Sequence, residues 1–155
     1  MKRLLLALFA SMSLLHAQEA SPTPSPSATP DVTDTAAEAA ARSAALELAG
    51  AFSNDGYKIR DGFYFGTLET GKSALVEVNL FAGNEYWFCA AVNDPGRKLA
   101  ITVYDEKGAP VEQQGYEDGP KTAAGVVAGT SGKYFVKVTL AEGAKSSFCL
   151  IYCYK

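Results

Sequence analysis

The stretch Lys72–Asp105, KSALVEVNLFAGNEYWFCAAVNDPGRKLAITVYD, decides the fold. Successive side chains on a β-strand point to opposite faces, so a half-buried strand is written as alternation. Ala74, Val76, Val78 and Leu80 share a face, with Glu77 and Asn79 opposite. Tyr86, Phe88 and Ala90 share one face of the next run, and Leu99, Ile101 and Val103 share one face of the third. Between the runs stand the turns Ala82-Gly83-Asn84 and Asn93-Asp94-Pro95-Gly96. Glycine supplies positive φ in such turns and proline pre-sets φ. Three short strands in succession, with no helical period, predict an antiparallel arrangement.

The same pattern continues on both sides. Strands are expected near 57–60, 62–68, 73–81, 85–92, 98–105, 110–114, 121–128, 132–140 and 146–154, with glycine-bearing turns between them. In the later strands Tyr134, Val136, Val138 and Leu140 fall together, with Lys137 and Thr139 opposite, and Phe148, Leu150 and Tyr152 form the last inward set. These sets are the expected core between two sheets. Each buried Leu- or Phe-sized side chain contributes about 1.5–3 kcal/mol, enough in sum for a small domain. About a hundred residues suit a single sandwich, so the domain is placed at 55–155.

The N-terminal third has a different composition. Met1-Lys2-Arg3 followed by the mostly apolar run Leu4–Leu15 and a small Ala17 has the layout of a secretory signal over 1–17. The run is too short for a membrane span, and membrane insertion is not expected. Residues 18–33 carry Pro22, Pro24, Pro26 and Pro30 among Ser, Thr and Ala, a composition that buries no core and reads as a disordered linker. A helix is expected over 34–50, with Thr35 and Glu38 at capping-box spacing, a run of alanines from Ala36 to Ala44, and Gly50 to stop it. Its apolar stripe of Ala37, Ala41 and Leu48 is thin, which predicts a largely solvated spacer helix.

Charge and composition narrow the chemistry. Removing residues 1–17 lowers Lys+Arg from 14 to 12 against 17 Asp+Glu, so the net charge moves from −3 to −5. Scattered, mildly acidic charge gives no basis for binding nucleic acid. The single histidine, His16, leaves with the leader. Without histidine there is no His-based acid–base pair, no Ser-His or Cys-His nucleophile and no His-containing zinc site. The chain is therefore expected to be no enzyme, with no cofactor and no metal.

One resemblance adds to this reading. Val76-x-Val78-x-Leu80-x-Ala82-Gly83, then Leu99-x-Ile101-x-Val103-x-Asp105-x-x-Gly108, then Gly132-x-Tyr134-x-Val136-x-Val138 resemble the bacterial pre-peptidase C-terminal domain over about residues 60–154. That resemblance implies a jelly-roll-like β-sandwich. It also implies a non-catalytic accessory role beside secreted enzymes, in secretion or substrate binding. The chain departs from the pattern in lacking an Asp-rich loop before the Leu-x-Ile strand, where it has only Asn93-Asp94.

Three groups of side chains remain as candidates. Export would favour a disulfide among Cys89, Cys149 and Cys153. Cys149 and Cys153 lie four residues apart on one strand, roughly 13 Å, too far to bond each other. Alternation puts all three on the non-core face, and Cys89–Cys149 is the favoured pair, with Cys153 as the alternative partner. The acids Glu85, Asp94, Asp105, Glu106, Glu112, Glu117 and Asp118 sit mostly in turns and match no calcium loop. Trp87, Phe135, Phe81 and Tyr104 also point away from the core, and either mark a binding surface or lie under the helix and loops. The expected product is a secreted or periplasmic binding or accessory module for an unknown polymer or protein ligand. The alternative is a structural envelope protein without a small ligand.

Overall fold

The computed structural model describes residues 32–155. The expected signal segment, and the linker except for Val32 and Thr33, lie outside the described residues. Those two residues already belong to the first helix.

The elements are α1 (Val32–Ala51), a 3-10 turn (Phe52–Asp55), and strands β1 (Lys58–Ile59), β2 (Tyr64–Leu68), β3 (Ser73–Leu80), β4 (Glu85–Val92), β5 (Lys98–Asp105), β6 (Gln114–Asp118), β7 (Lys121–Val127), β8 (Gly132–Glu142) and β9 (Ser146–Tyr154). All pairing is antiparallel. The larger sheet runs β1-β9-β4-β7-β6, with β2 also on β9, and the smaller sheet runs β3-β8-β5. From β2 to β5 the chain alternates between the sheets, and it does so again from β7 to β9. This is the jelly-roll order, with β6 laid on the edge of the larger sheet beside β7.

The alternation seen in the sequence sets the core. Val78, Leu80, Tyr86, Phe88, Leu99, Ile101, Val103, Tyr134, Val136, Val138, Leu140, Phe148, Leu150 and Tyr152 are buried in one cluster between the sheets, with Ala74 and Val76 packed against it. The register explains the match. Val76 faces Val136 on β8, which faces Val103 on β5, so inward positions line up across all three strands of the smaller sheet. A slip of one residue would turn every one of these side chains to solvent.

One strand departs from expectation. The segment expected as a strand at 110–114 is the crossover between the sheets. Val111 N–H donates to Val103 O at 2.9 Å, and the Gln113 side chain accepts from Val103 N–H and donates to Ile101 O, both at 3.0 Å. The strand itself, β6, follows at Gln114–Asp118 and is exposed at every position. An edge strand that buries nothing carries no alternation to read.

The helix departs more. It begins at Val32, three residues before Thr35, so the Thr35–Glu38 spacing does not mark its start. It continues through Gly50, and the stop comes at Gly56, whose φ of +87° closes the 3-10 turn with its N–H on Phe52 O and Ser53 O. Nor is it a solvated spacer. Ala41, Ala45, Leu48 and Ala49 are buried against Cys89, Ala91, Ala123, Cys149 and Ile151 on the outer face of the larger sheet. Small side chains on both surfaces let the helix backbone approach the sheet closely. A thin alanine stripe is therefore a packing surface here, because its partner is equally shallow. Lys121 ties the exposed flank to Glu47 at 2.8 Å. Among the described residues no helix is long and apolar enough to cross a membrane.

A filled interface of this kind has no room for larger groups. Ala45→Leu should lower stability by about 1–3 kcal/mol in urea unfolding, while Leu46→Ala on the exposed flank should stay within about 0.5 kcal/mol. Equal effects of the two would contradict tight docking of the helix.

Candidate functional site

The aromatics expected on one surface lie on two. The larger sheet's outer face carries Trp87, Cys89 and Ala91 on β4, and Cys149, Ile151 and Cys153 on β9, under α1 and the 3-10 turn. The smaller sheet's outer face carries Tyr104 and Phe135, which are direct cross-strand partners. These faces point away from each other across the core. Alternation assigns a side chain to the core or away from it, but not to one sheet or the other.

Trp87 is covered rather than displayed. Phe52 stacks on its indole with centroids 4.4 Å apart and planes 17° apart. Below it lies Gly125, the residue opposite on β7; a Cβ there would sit 2.7 Å from the indole Cζ2. The indole is thus held between a ring and a glycine backbone, and only its edge is free. Nothing in the sequence flagged Phe52, since it follows the helix in a short segment without period.

Next to Trp87, three elements meet through polar groups that the sequence did not bring together. Tyr57 Oη donates to Glu85 Oε2 at 2.6 Å, and Lys155 Nζ lies 3.3 Å from the same carboxylate oxygen. The Lys155 ammonium also sits over the Tyr57 ring, 4.4 Å from its centroid. The hydrogen bond from Tyr57, then the one from Lys155, holds the Glu85 carboxyl below its ordinary range. Burial, followed by the bond to Glu85, pushes the Tyr57 phenol up. A cavity of about 300 Å³ opens here, lined by Tyr57, Glu85, Trp87, Glu112, Gln114 and Val127, among others.

The cysteines are all free thiols, fully buried under the helix. Their common face is as the alternation predicts. Neither the expected Cys89–Cys149 bridge nor the alternative Cys89–Cys153 is formed. Cys89 faces Ile151 on β9, so Cys149 and Cys153 are its two diagonal neighbours. The twist of the sheet makes the two diagonals unequal, and Cys153 is the neighbour whose thiol acts on Cys89. Cys153 also donates to Trp87 O at 3.8 Å. The hydrogen bond with Cys153, then burial, raises Cys89. Burial pushes Cys149 up to about 11, partly offset by the Arg42 charge.

Among the described residues no helix lies over the smaller sheet's outer face. Leu75 stands 62% exposed, and Phe81 at the end of β3 is 63% exposed. Tyr104 and Phe135 are half-buried beside them. The register sets Glu77 opposite Phe135, and Glu77 pairs with Lys133 at 3.0 Å. Of the turn acids, Asp105 accepts from Lys107 N–H and Ala109 N–H, and Asp94 accepts from Gly96 N–H and pairs with Arg97 at 2.8 Å. These two carboxylates hold their own turns together.

No family model matches the chain, and no curated protein matches it in sequence.

The thiol burial is directly testable. In the reduced, folded protein at pH 8, an aromatic disulfide reagent should label none of the three cysteines within minutes. In denaturant it should label all three at once. Fast labelling of Cys149 in the folded state would show that the helix does not seal this face.

Proposed function

We propose that this chain is an exported, non-catalytic β-sandwich that binds a polymer or protein partner on the outer face of its smaller sheet. The observation that carries the reading is the asymmetry of the two outer faces. The middle of the larger sheet's is buried under α1 and the 3-10 turn, whereas the smaller sheet's holds Leu75, Tyr104 and Phe135 with no element over them among the described residues. An antiparallel sheet facing water ordinarily alternates to polar residues on that side. Most outward positions here follow it, among them Glu77, Asn79, Lys133 and Lys137, and the adjacent aromatics with the exposed leucine are the exceptions, which suit a flat partner. The basic and apolar layout of residues 1–15 supports export. The accessory role implied by the resemblance to pre-peptidase C-terminal domains fits the same reading. In an oxidising compartment the bridge we propose is Cys89–Cys153, between diagonal neighbours on β4 and β9, and peptide mapping without reductant that finds Cys89 joined to Cys149 would refute that pairing.

The binding reading is tested by retention of the folded protein on insoluble envelope and extracellular polysaccharides and on immobilised secreted protein. Tyr104→Ala with Phe135→Ala should cut retention at least tenfold. Losing one cross-strand aromatic pair should cost about 1 kcal/mol of stability. Trp87→Phe should leave retention unchanged. Retention on none of these supports, or the same retention by the double variant, would overturn the reading.

A further inference from the structure

The edge of the larger sheet is incomplete at one end. β6 accompanies β7 only from Gln114, opposite Gly125, to Asp118, opposite Lys121. One residue before Gln114 the chain is committed elsewhere, because Val111 and Gln113 close the free edge of β5. β6 therefore cannot continue along β7.

Hydrogen-bond parity shows what this leaves open. Ala128 N–H donates to Asn84 O and Val92 N–H donates to Pro120 O, both at 3.0 Å. Even-numbered positions along this lane thus turn their backbone groups toward β4, and odd-numbered positions turn theirs toward β6. Gly125 meets Gln114 there. The next odd residue, Val127, has no backbone partner for its N–H or C=O among the described residues. Its side chain is 62% exposed.

The cavity of about 300 Å³ beside Trp87 lies at this gap. Two carboxylates line it against one ammonium. Glu85 is shared by Tyr57 and Lys155, while Glu112 is exposed and forms no ion pair among the described residues. Trp87 presents only an edge, because Phe52 and Gly125 cover its two faces. A sugar ring has no aromatic face to stack on here. The aliphatic stem of a Lys or Arg can lie along such a wall with its charge among the carboxylates.

We infer that this notch binds an extended basic peptide segment, which pairs its main chain with Val127 and sets a Lys or Arg side chain between Glu112 and Glu85. This is strand addition to an open sheet edge, with main-chain bonds holding the peptide and the acid pair choosing it. The site is separate from the smaller sheet's outer face and does not depend on it.

The test is an amide and indole NMR titration of the folded chain with three capped pentapeptides. One alternates lysine and valine, one has glutamate for lysine, and one is the lysine peptide N-methylated at its central residue. The lysine peptide should give saturable shifts at the Val127 amide and the Trp87 indole. The glutamate peptide should give none, and N-methylation should weaken binding. Glu112→Gln, at an exposed position that does not threaten folding, should weaken the lysine peptide roughly two- to fivefold. The inference fails if Val127 shows no saturable shift, if the glutamate peptide binds equally, or if N-methylation changes nothing. Loss of polymer retention by the Tyr104/Phe135 double variant leaves these shifts in place, so the two surfaces are judged separately.

Discussion

The rest of the structure depends on the contact between an alanine-faced helix and a sheet surface of equally small side chains. Ala41, Ala45 and Ala49 rest on Cys89, Ala91, Ala123 and Cys149, with Leu48 and Ile151 as the larger members. Neither surface is apolar enough to hold much by itself. Together they exclude water over the middle of that face, because shallow side chains on both sides pack at close approach. The central strands β4 and β9 are in consequence buried on both faces.

Much follows from that second core. The cysteines are kept from solvent, and burial raises Cys149. Phe52, delivered by the turn after the helix, closes over Trp87, and Gly125 makes room beneath it. The Tyr57–Glu85–Lys155 contacts then fasten that turn to β4 and to the end of β9. The smaller sheet has no such cover among the described residues. Covered and open faces arise from one event, the docking of a single helix on one of two available surfaces.

The edges are managed by the same short crossover. Val111 and Gln113 satisfy β5 in the smaller sheet, and β6 then shields most of β7 in the larger. One connection serves two sheet edges and is too short to finish both. The gap at Val127 is the geometric remainder of that compromise, and the cavity sits where the crossover stops.

The core strands of the smaller sheet were legible in the sequence because a strand buried on one side must alternate, and Val76, Val78, Ile101, Val103, Val136 and Val138 do so without interruption. The common face of Cys89, Cys149 and Cys153 was legible for the same reason. What alternation does not hold is pairing. It does not say that Trp87 and Phe135 belong to opposite sheets, that Cys149 and Cys153 are both diagonal neighbours of Cys89, or that an exposed polar run at Gln114–Asp118 is a strand. It also hid the docking of the helix, since an alanine stripe has the same pattern whether it faces water or another shallow surface. Periodicity within a segment is local and is written in the residues themselves. Which surface a segment covers depends on the shape of a partner distant in sequence, and only the folded chain brings the two together.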